Sequence, residues 1–209
     1  FLGYRGARIY PEHRRLFVEQ VRAIVRASAF GSLRLMVPMI AVPEEARWVV
    51  QRVTEVQTEL KASGVAFDEK MPIGAMIEVP SMVFMLDQIG RGPGPWLHRA
   101  FGALEVRAAA LVPRTEGHAS RKVSMGRPLD FFSIGTNDLA QYFFAADRDN
   151  AKVAGLHNVR HPAFLRLLAK IVEEARRLGK WIGLCGEMGR DEANLPLLVG
   201  LGLDEISVA

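Results

Sequence analysis

Two acidic residues, Glu78 and Asp138, stand where two apolar runs of this chain end. The runs 73–77 and 131–135 are typical of strands buried in a parallel sheet, whose polar chemistry gathers at the carboxyl ends. We expect the two strands to be neighbours, so that one Mg²⁺ could bind both carboxylates and leave its other positions to water and substrate oxygens. Asp138 could instead simply cap the amino terminus of the helix that follows it.

The single cysteine, Cys185, also ends an apolar run, which begins at Trp181. A thiol with an ordinary pKa of about 8.5 is protonated at neutral pH and can donate a proton without an activating base. A nucleophilic cysteine would need a depressed pKa and a nearby base, and no histidine is adjacent in the sequence. We therefore predict a general acid, with a small buried apolar side chain as the alternative.

Three arginines could bind a multiply charged anion beside a metal, because guanidinium groups bind phosphate and carboxylate bidentately. Arg5 and Arg148 lie in loops that the same topology places near the carboxyl ends of the strands. Arg34 lies inside an apolar segment, where a charge is costly unless it is paired. It either faces a polar barrel interior or occupies the exposed start of a strand. The alternative for each arginine is a solvated surface side chain.

Apolar segments alternate with helical patterns along the chain, which predicts an α/β fold with parallel strands and right-handed crossovers. A complete (β/α)₈ barrel takes about 250 residues, and this chain has 209. The pattern therefore predicts either an open, doubly wound sheet or part of a (β/α)₈ TIM barrel whose first strands lie outside the sequence. The predicted strands cover residues 33–40, 73–79, 131–134, 181–185 and 203–208.

Prolines and capping residues mark the starts of the predicted helices. These helices begin near Pro11, Pro43, Pro80, Leu139, Pro162 and Asp191. The first should bury one apolar stripe against the rest of the fold. The residues of that stripe are Leu16, Phe17, Val21, Ile24 and Val25.

Composition and charge argue against several functions. The net charge of +4 is local, because residues 91–128 hold seven basic and two acidic residues and the rest of the chain sums to about −1. Without a basic face or a helix-turn-helix pattern, we expect no nucleic-acid binding. No apolar run approaches the roughly 18 residues of a membrane span. One cysteine and five scattered histidines argue against a disulfide or a structural zinc site and favour a cytoplasmic protein.

Seven segments form a series along the chain: FLGYRGARI, LRLMVPMI, GAMIEVPSMVFML, DFFSIGTNDLAQY, AADRDN, LHNVRHPAFLR and GLCGEMG. In this order they resemble the phosphoenolpyruvate-binding barrel of bacterial enzyme I, the phosphoenolpyruvate–protein phosphotransferase. The segment MIEVPSMVFML is similar to the nitrogen-related branch of that family. The resemblance implies that residues 1–209 are the C-terminal part of one barrel domain, strands four to eight. An Arg-, Gly- and Pro-rich insertion at about 90–129 has no counterpart, and we expect it on the amino-terminal face of the barrel.

The resemblance also implies a role for each candidate residue. Glu78 and Asp138 would bind Mg²⁺, and Cys185 would protonate the carbon of the pyruvate enolate. The implied phosphoenolpyruvate ligands are Arg5, Arg34, Asn137 and Arg148. The phosphoryl group would pass to a histidine on another domain and then to a histidine-containing phosphocarrier protein, and the barrel would form a homodimer. This chain alone should not complete the transfer.

Two other functions are compatible with the same barrel. Pyruvate phosphate dikinase and phosphoenolpyruvate synthase resemble enzyme I over this region, although the segment CGEMG at 185–189 is closer to enzyme I. A non-catalytic barrel fragment that only binds a ligand or a partner is the other alternative. Labelled phosphoenolpyruvate, added to the full-length protein with and without nucleotide, separates the three, because enzyme I should be labelled without nucleotide.

Overall fold

The structure, a computed structural model, describes residues 3–91 and 127–208. The insertion at about 90–129 lies outside the described residues except at its two ends, so its position stays a prediction. The described strands are β1 (Leu35–Val37), β2 (Ile73–Ile77), β3 (Phe131–Gly135), β4 (Trp181–Cys185) and β5 (Glu205–Ile206). The described α-helices are α1 (Arg14–Ala27), α2 (Pro43–Ala62), α3 (Pro80–Val83), α4 (Leu86–Gly90), α5 (Thr136–Phe143), α6 (Pro162–Arg177) and α7 (Leu195–Leu201).

The five strands form one parallel sheet in sequential order, β1-β2-β3-β4-β5. In its register, Ile77 pairs with Ile134, and Gly135 pairs with Cys185. Sequential order is expected of consecutive strands in a barrel, whereas a doubly wound sheet reverses its order at a switch point. The prediction of a partial (β/α)₈ barrel is therefore confirmed, and the doubly wound alternative is wrong.

One face of the sheet forms the apolar core with the helices. Side chains alternate between the two faces along each strand, and Val37, Ala75, Phe132 and Ile182 all point to this side. They are buried in a single cluster with apolar residues of α1, α2 and α6. Burial of this face is the main stabilising contribution that the sequence pattern supplies.

The opposite face corresponds to the interior of a closed barrel, and we call it the inner face. It carries polar side chains among its residues, and Met36 and Glu205 on it are exposed. The inner-face residues are Met36, Gly74, Met76, Phe131, Ser133, Gly135, Trp181, Gly183, Cys185 and Glu205. Functional side chains of a barrel lie on this face and at its carboxyl end.

Helix α1 buries a narrower stripe than predicted. Phe17, Val21 and Val25 are buried and Ile24 packs against the core, but Leu16 is 71% exposed. The buried residues follow a spacing of four, and Leu16 lies about 100° around the helix from Phe17. The prediction for Leu16 is therefore wrong.

Several element boundaries also differ from the predictions. The strand predicted at 33–40 is limited to Leu35–Val37, because Pro38 lacks the N–H that would continue the ladder. The helix predicted from Pro80 is divided into α3 and α4, and a 3₁₀ turn at Glu192–Asn194 precedes α7. None of the helices in the described parts of the chain is both long enough and apolar enough to cross a membrane.

Candidate active site

The carboxyl groups of Glu78 and Asp138 meet at the carboxyl ends of β2 and β3. Glu78 directly follows β2, and Asp138 is the third residue of α5, which begins immediately after β3. The Asp138 carboxylate is close enough to Glu78 to act on its pKa, which it raises. Glu78 is only 3% exposed, and its Oε1 accepts a hydrogen bond of 2.6 Å from the N–H of Met39. We call these two groups the carboxylate pair.

Asp138 does not cap α5. The residue at the cap position is Gly135, and no side chain makes a capping hydrogen bond there. The capping alternative is therefore wrong. Asp138 lies instead in the first turn, where the helix dipole favours a negative charge.

The carboxylate pair is suited to a divalent cation. Burial raises the pKa of Glu78 and the Asp138 carboxylate raises it further, whereas the Met39 N–H and Arg5 act in the opposite direction. A cation would remove the repulsion between two ionised carboxylates, and one or two carboxylates with water and substrate oxygens are the ligands that Mg²⁺ prefers. Among residues 3–91 and 127–208, no group of three or more His, Cys, Asp or Glu could hold a metal. The two carboxylates are oxygen ligands of the kind that Mg²⁺ takes from proteins, with its remaining positions left to water or substrate.

Arg5 contacts the carboxylate pair through Asp138. Its Nη2 forms an ion pair with Oδ2 of Asp138, and its side chain is 47% exposed. The following residue, Gly6, has a φ of 59°, and a β-carbon there would lie 2.8 Å from Cβ of Met39. Because only glycine adopts this conformation without strain and leaves that space open, Gly6 allows the loop to approach β1 and place Arg5 over the acids.

Asn137 joins two loops at the same end of the sheet. Its Oδ1 accepts a hydrogen bond of 3.1 Å from the N–H of Glu187, in the turn after β4. Its carbonyl oxygen lies 3.1 Å from Nε2 of His157. Asn137 directly precedes Asp138 in α5, and its role as a phosphoenolpyruvate ligand stays a prediction.

Cys185 is the last residue of β4 and lies on the inner face beside β3. Its sulfur accepts a hydrogen bond from Oγ of Ser133 at 3.5 Å and donates one to the carbonyl of Ile134 at 3.6 Å. Burial raises the pKa of the thiol, and Glu78 and Glu205 raise it further, whereas the Ser133 hydrogen bond lowers it. The thiol is therefore protonated at neutral pH, as a general acid must be.

The other two candidate arginines have no contact with the carboxylate pair among the described residues. Arg34 precedes β1, at the amino-terminal end of the inner face, with its guanidinium carbon 5.0 Å from the ring centre of Trp181 and 6.0 Å from that of Phe131. Arg148 is exposed in the loop after α5, where its N–H donates to Oε1 of Gln141 at 3.4 Å. Their roles as phosphoenolpyruvate ligands stay predictions.

Three residues at the site were missed by the sequence analysis. Tyr142 lies one helical turn after Asp138, and burial raises the pKa of its phenol, which has Arg5, Asp138 and Glu78 among its charged neighbours. The spacing of four from Asp138 was a usable signal. Ser133, a lone hydroxyl inside an apolar strand, was another such signal. The third is Met39, whose N–H donates to Glu78. Its φ is 59°, and no pattern in the sequence predicts this conformation.

The sequence of the chain matches a known protein family. The model of the PEP-utilising enzymes, PEP-binding domain, matches residues 1–92 and 119–209. Multiphosphoryl transfer protein 2 of Escherichia coli K12 is 45% identical over the whole chain, and the phosphoenolpyruvate-protein phosphotransferase of Bacillus subtilis 168 is 37% identical over the whole chain. This chain spans 21% of the first relative and 30% of the second.

Solved structures resemble the fold at low sequence identity. A citrate lyase of Burkholderia xenovorans LB400 aligns with a TM-score of 0.53 and 17% identity, over 90% of this chain and 48% of that one. An aldolase/citrate lyase family protein of Burkholderia cenocepacia J2315 aligns with a TM-score of 0.52 and 15% identity, over 91% and 62% of the two chains. These likenesses concern the fold alone.

Proposed function

Because this chain belongs to the PEP-utilising enzymes, through their PEP-binding domain, we propose that it binds phosphoenolpyruvate and supports transfer of the phosphoryl group to a protein histidine, which yields pyruvate. The observation that carries this proposal is the position of Glu78, Asp138 and Cys185 at the carboxyl ends of three consecutive strands. A pair of carboxylates that can hold a cation, and a proton donor at the same end of the sheet, are groups that this reaction can use.

The reaction places negative charge on two parts of the substrate. Removing the phosphoryl group leaves a pyruvate enolate, whose charge is centred on the former bridging oxygen. Arg5 would bind the phosphoryl or carboxylate group, and the amide of Asn137 would donate to a neighbouring oxygen. Glu78 and Asp138 would hold Mg²⁺, which when bound stabilises charge on the phosphoryl and enolate oxygens.

Cys185 completes the conversion to pyruvate. Its thiol proton moves to the methylene carbon of the enolate, the π electrons form the new C–H bond, and the electrons of the S–H bond remain on sulfur. The resulting thiolate recovers a proton from solvent. A protonated thiol performs this step without a partner base, which is consistent with the absence of a histidine contact to the sulfur among the described residues.

The partners follow from the same proposal. The proposed acceptor is a histidine on another domain, and this chain spans 21% and 30% of the length of the two relatives named above. From there the phosphoryl group passes to a histidine-containing phosphocarrier protein of a phosphotransferase system, for sugar uptake or nitrogen regulation. A homodimer through this barrel is part of the proposal.

Phosphoryl transfer is tested with the full-length protein and phosphoenolpyruvate labelled on phosphorus. We expect acid-labile label on the protein with Mg²⁺ and without nucleotide, and its transfer to an added phosphocarrier protein. The variant D138N should not be labelled, and E173Q, a change at an exposed glutamate of α6, should be labelled like the parent.

Other outcomes would contradict the proposal. Labelling that requires ATP or AMP and phosphate would identify a dikinase or a synthase. Binding of phosphoenolpyruvate without any labelled protein or pyruvate would identify a non-catalytic module.

A further inference from the structure

We propose that Ser133 is a positioning residue for Cys185, whose hydroxyl holds the sulfur in place and stabilises the thiolate left after proton transfer. This inference rests on the proposed function, in which Cys185 is the acid. It assigns a role to a side chain that neither the carboxylate pair nor the arginines explain.

Within residues 3–91 and 127–208, the Ser133 hydroxyl has no hydrogen-bond partner other than the sulfur. Ser133 is 7% exposed in a strand whose residues are all buried. A buried hydroxyl costs free energy unless it is hydrogen-bonded. Among the described residues its one hydrogen-bond partner is Sγ of Cys185, at 3.5 Å. An alanine would fill most of the same space without that cost, so the hydroxyl is better explained by the thiol than by the fold.

The sulfur of Cys185 accepts one hydrogen bond and donates another. Ser133 donates to the sulfur, while the sulfur donates its own proton to the carbonyl of Ile134 at 3.6 Å. The contact to Ile134 must break when the S–H bond turns toward the substrate, because the proton cannot serve two acceptors. The contact from Ser133 remains, because a hydroxyl donates to a thiolate as well as to a thiol. Ser133 therefore keeps the sulfur in position throughout the step.

The electrostatic surroundings make this contact important. Burial disfavours a thiolate at Cys185, and so does the negative charge of Glu205, whereas the hydrogen bond from Ser133 favours it. When the thiol gives its proton to the enolate carbon, the negative charge moves from the enolate to sulfur. A hydrogen bond to an ionised group is stronger than one to a neutral group. Ser133 therefore stabilises the product of the proton transfer more than its reactant.

The experiment uses the full-length protein and four variants. S133A removes the hydroxyl, and S133T and S133V form a pair of nearly equal size that differs in the hydroxyl alone. C185A removes the acid. The first measurement is the pH dependence of iodoacetamide alkylation at Cys185, followed on its peptide by mass spectrometry. The second is the rate of pyruvate formation in a single turnover, in H₂O and in D₂O.

We expect the alkylation curves of S133A and S133V to move to higher pH by about one unit, which is about a tenfold change in the thiol–thiolate equilibrium. Pyruvate formation should slow by roughly threefold to tenfold, since a weaker acid transfers its proton more slowly, and the solvent isotope effect should increase. S133T should resemble the parent in both measurements. If S133A does not fold, the comparison of S133T with S133V decides.

Alkylation curves and rates in S133A that equal those of the parent would overturn the role of Ser133. The same curves and rates in S133V and S133T would overturn it as well. The result for C185A tests the underlying function separately. Pyruvate formation at the parental rate in C185A would contradict the acid role of Cys185 itself, whereas loss in C185A with no effect of S133A or S133V would contradict the role of Ser133 alone.

Discussion

A β-carbon at Gly135 would lie 3.0 Å from both the Cβ and the Oε2 of Glu78. Gly135 therefore provides the space in which the buried carboxylate approaches Asp138. We predict that G135A displaces the Glu78 side chain by a few tenths of an ångström and lowers kcat/KM for phosphoenolpyruvate by about tenfold or more, because catalytic groups tolerate little displacement. The matched control is G31A, at a glycine with no atom near its would-be β-carbon. Equal kinetics in the two variants would contradict this role for Gly135.

Gly6 should be needed for the position of Arg5. The variant G6A would place an L-residue at a φ of 59°, with its Cβ 2.8 Å from that of Met39, and the left-handed conformation alone costs about 1–2 kcal/mol. We predict that the loop shifts and that affinity for phosphoenolpyruvate falls as in R5A, while far-ultraviolet circular dichroism is unchanged. Isothermal titration calorimetry measures the affinity. G155A, in an open position, is the control, and a parental Kd in G6A would count against the prediction.

Mg²⁺ affinity should depend on pH through Glu78. Burial raises the pKa of this group, and a metal ligand must be deprotonated. The affinity for Mg²⁺ should therefore fall as the pH decreases, and the fall should begin at a higher pH than the one at which an ordinary glutamate takes up its proton. In E78Q the amide oxygen can still accept from Met39, so we expect a folded protein with at least a hundredfold weaker Mg²⁺ binding. Calorimetric titration of Mg²⁺ at several pH values checks both points, and unchanged binding in E78Q would exclude Glu78 as a ligand.

The stacking of Arg34 can be separated from a role in phosphate binding. R34Q removes a cation 5.0 Å from the Trp181 ring, so we predict a loss of about 0.5–1 kcal/mol in the free energy of unfolding. Tryptophan emission should also change in R34Q, and this change should be absent when R34Q is introduced into W181F. If Arg34 also binds phosphate, R34Q will weaken phosphoenolpyruvate binding beyond R190Q, a change at an exposed arginine. Parental affinity with reduced stability would leave Arg34 a purely structural role.

The thiol of Cys185 should make the protein less stable at alkaline pH. Burial raises its pKa, so the folded chain keeps this proton at pH values where the unfolded chain has begun to lose it. The free energy of unfolding should therefore decrease as the pH rises from the ordinary thiol pKa toward the folded one. Urea unfolding between pH 7 and 10 should show a shallower decrease for C185S, and parallel curves for the two proteins would contradict the prediction.

The sequence predicted the parts of the site that depend on strand ends. Glu78 and Cys185 were found because each ends an apolar run, and parallel strands bring such positions to one edge. The family resemblance added Asn137, which no local pattern distinguishes from a turn residue. The order of the strands followed from the barrel, whereas the alternation of apolar and helical segments alone left two topologies open.

Other parts depended on information that the pattern does not hold. The spacing of apolar residues in α1 includes Leu16 in the predicted buried stripe. Whether another part of the fold covers Leu16 cannot be predicted from the sequence of α1 alone. The positive φ of Met39 depends on how the end of β1 meets the loop of Gly6. The stacking of Arg34 on Trp181 joins residues that are far apart in the chain, and only the register of the sheet brings them together.

The register also fixes the distance between the acid and the thiol. Ile77 pairs with Ile134, so Glu78 stands next to Gly135, and Gly135 pairs with Cys185. Two strand spacings therefore separate the backbones of Glu78 and Cys185, or roughly 10 Å. The space that the missing side chain leaves at Gly135 is taken up by the Glu78 side chain and the Sδ of Met76. A molecule that contacts both the carboxylate and the sulfur must therefore lie over the end of β3 rather than between the two side chains.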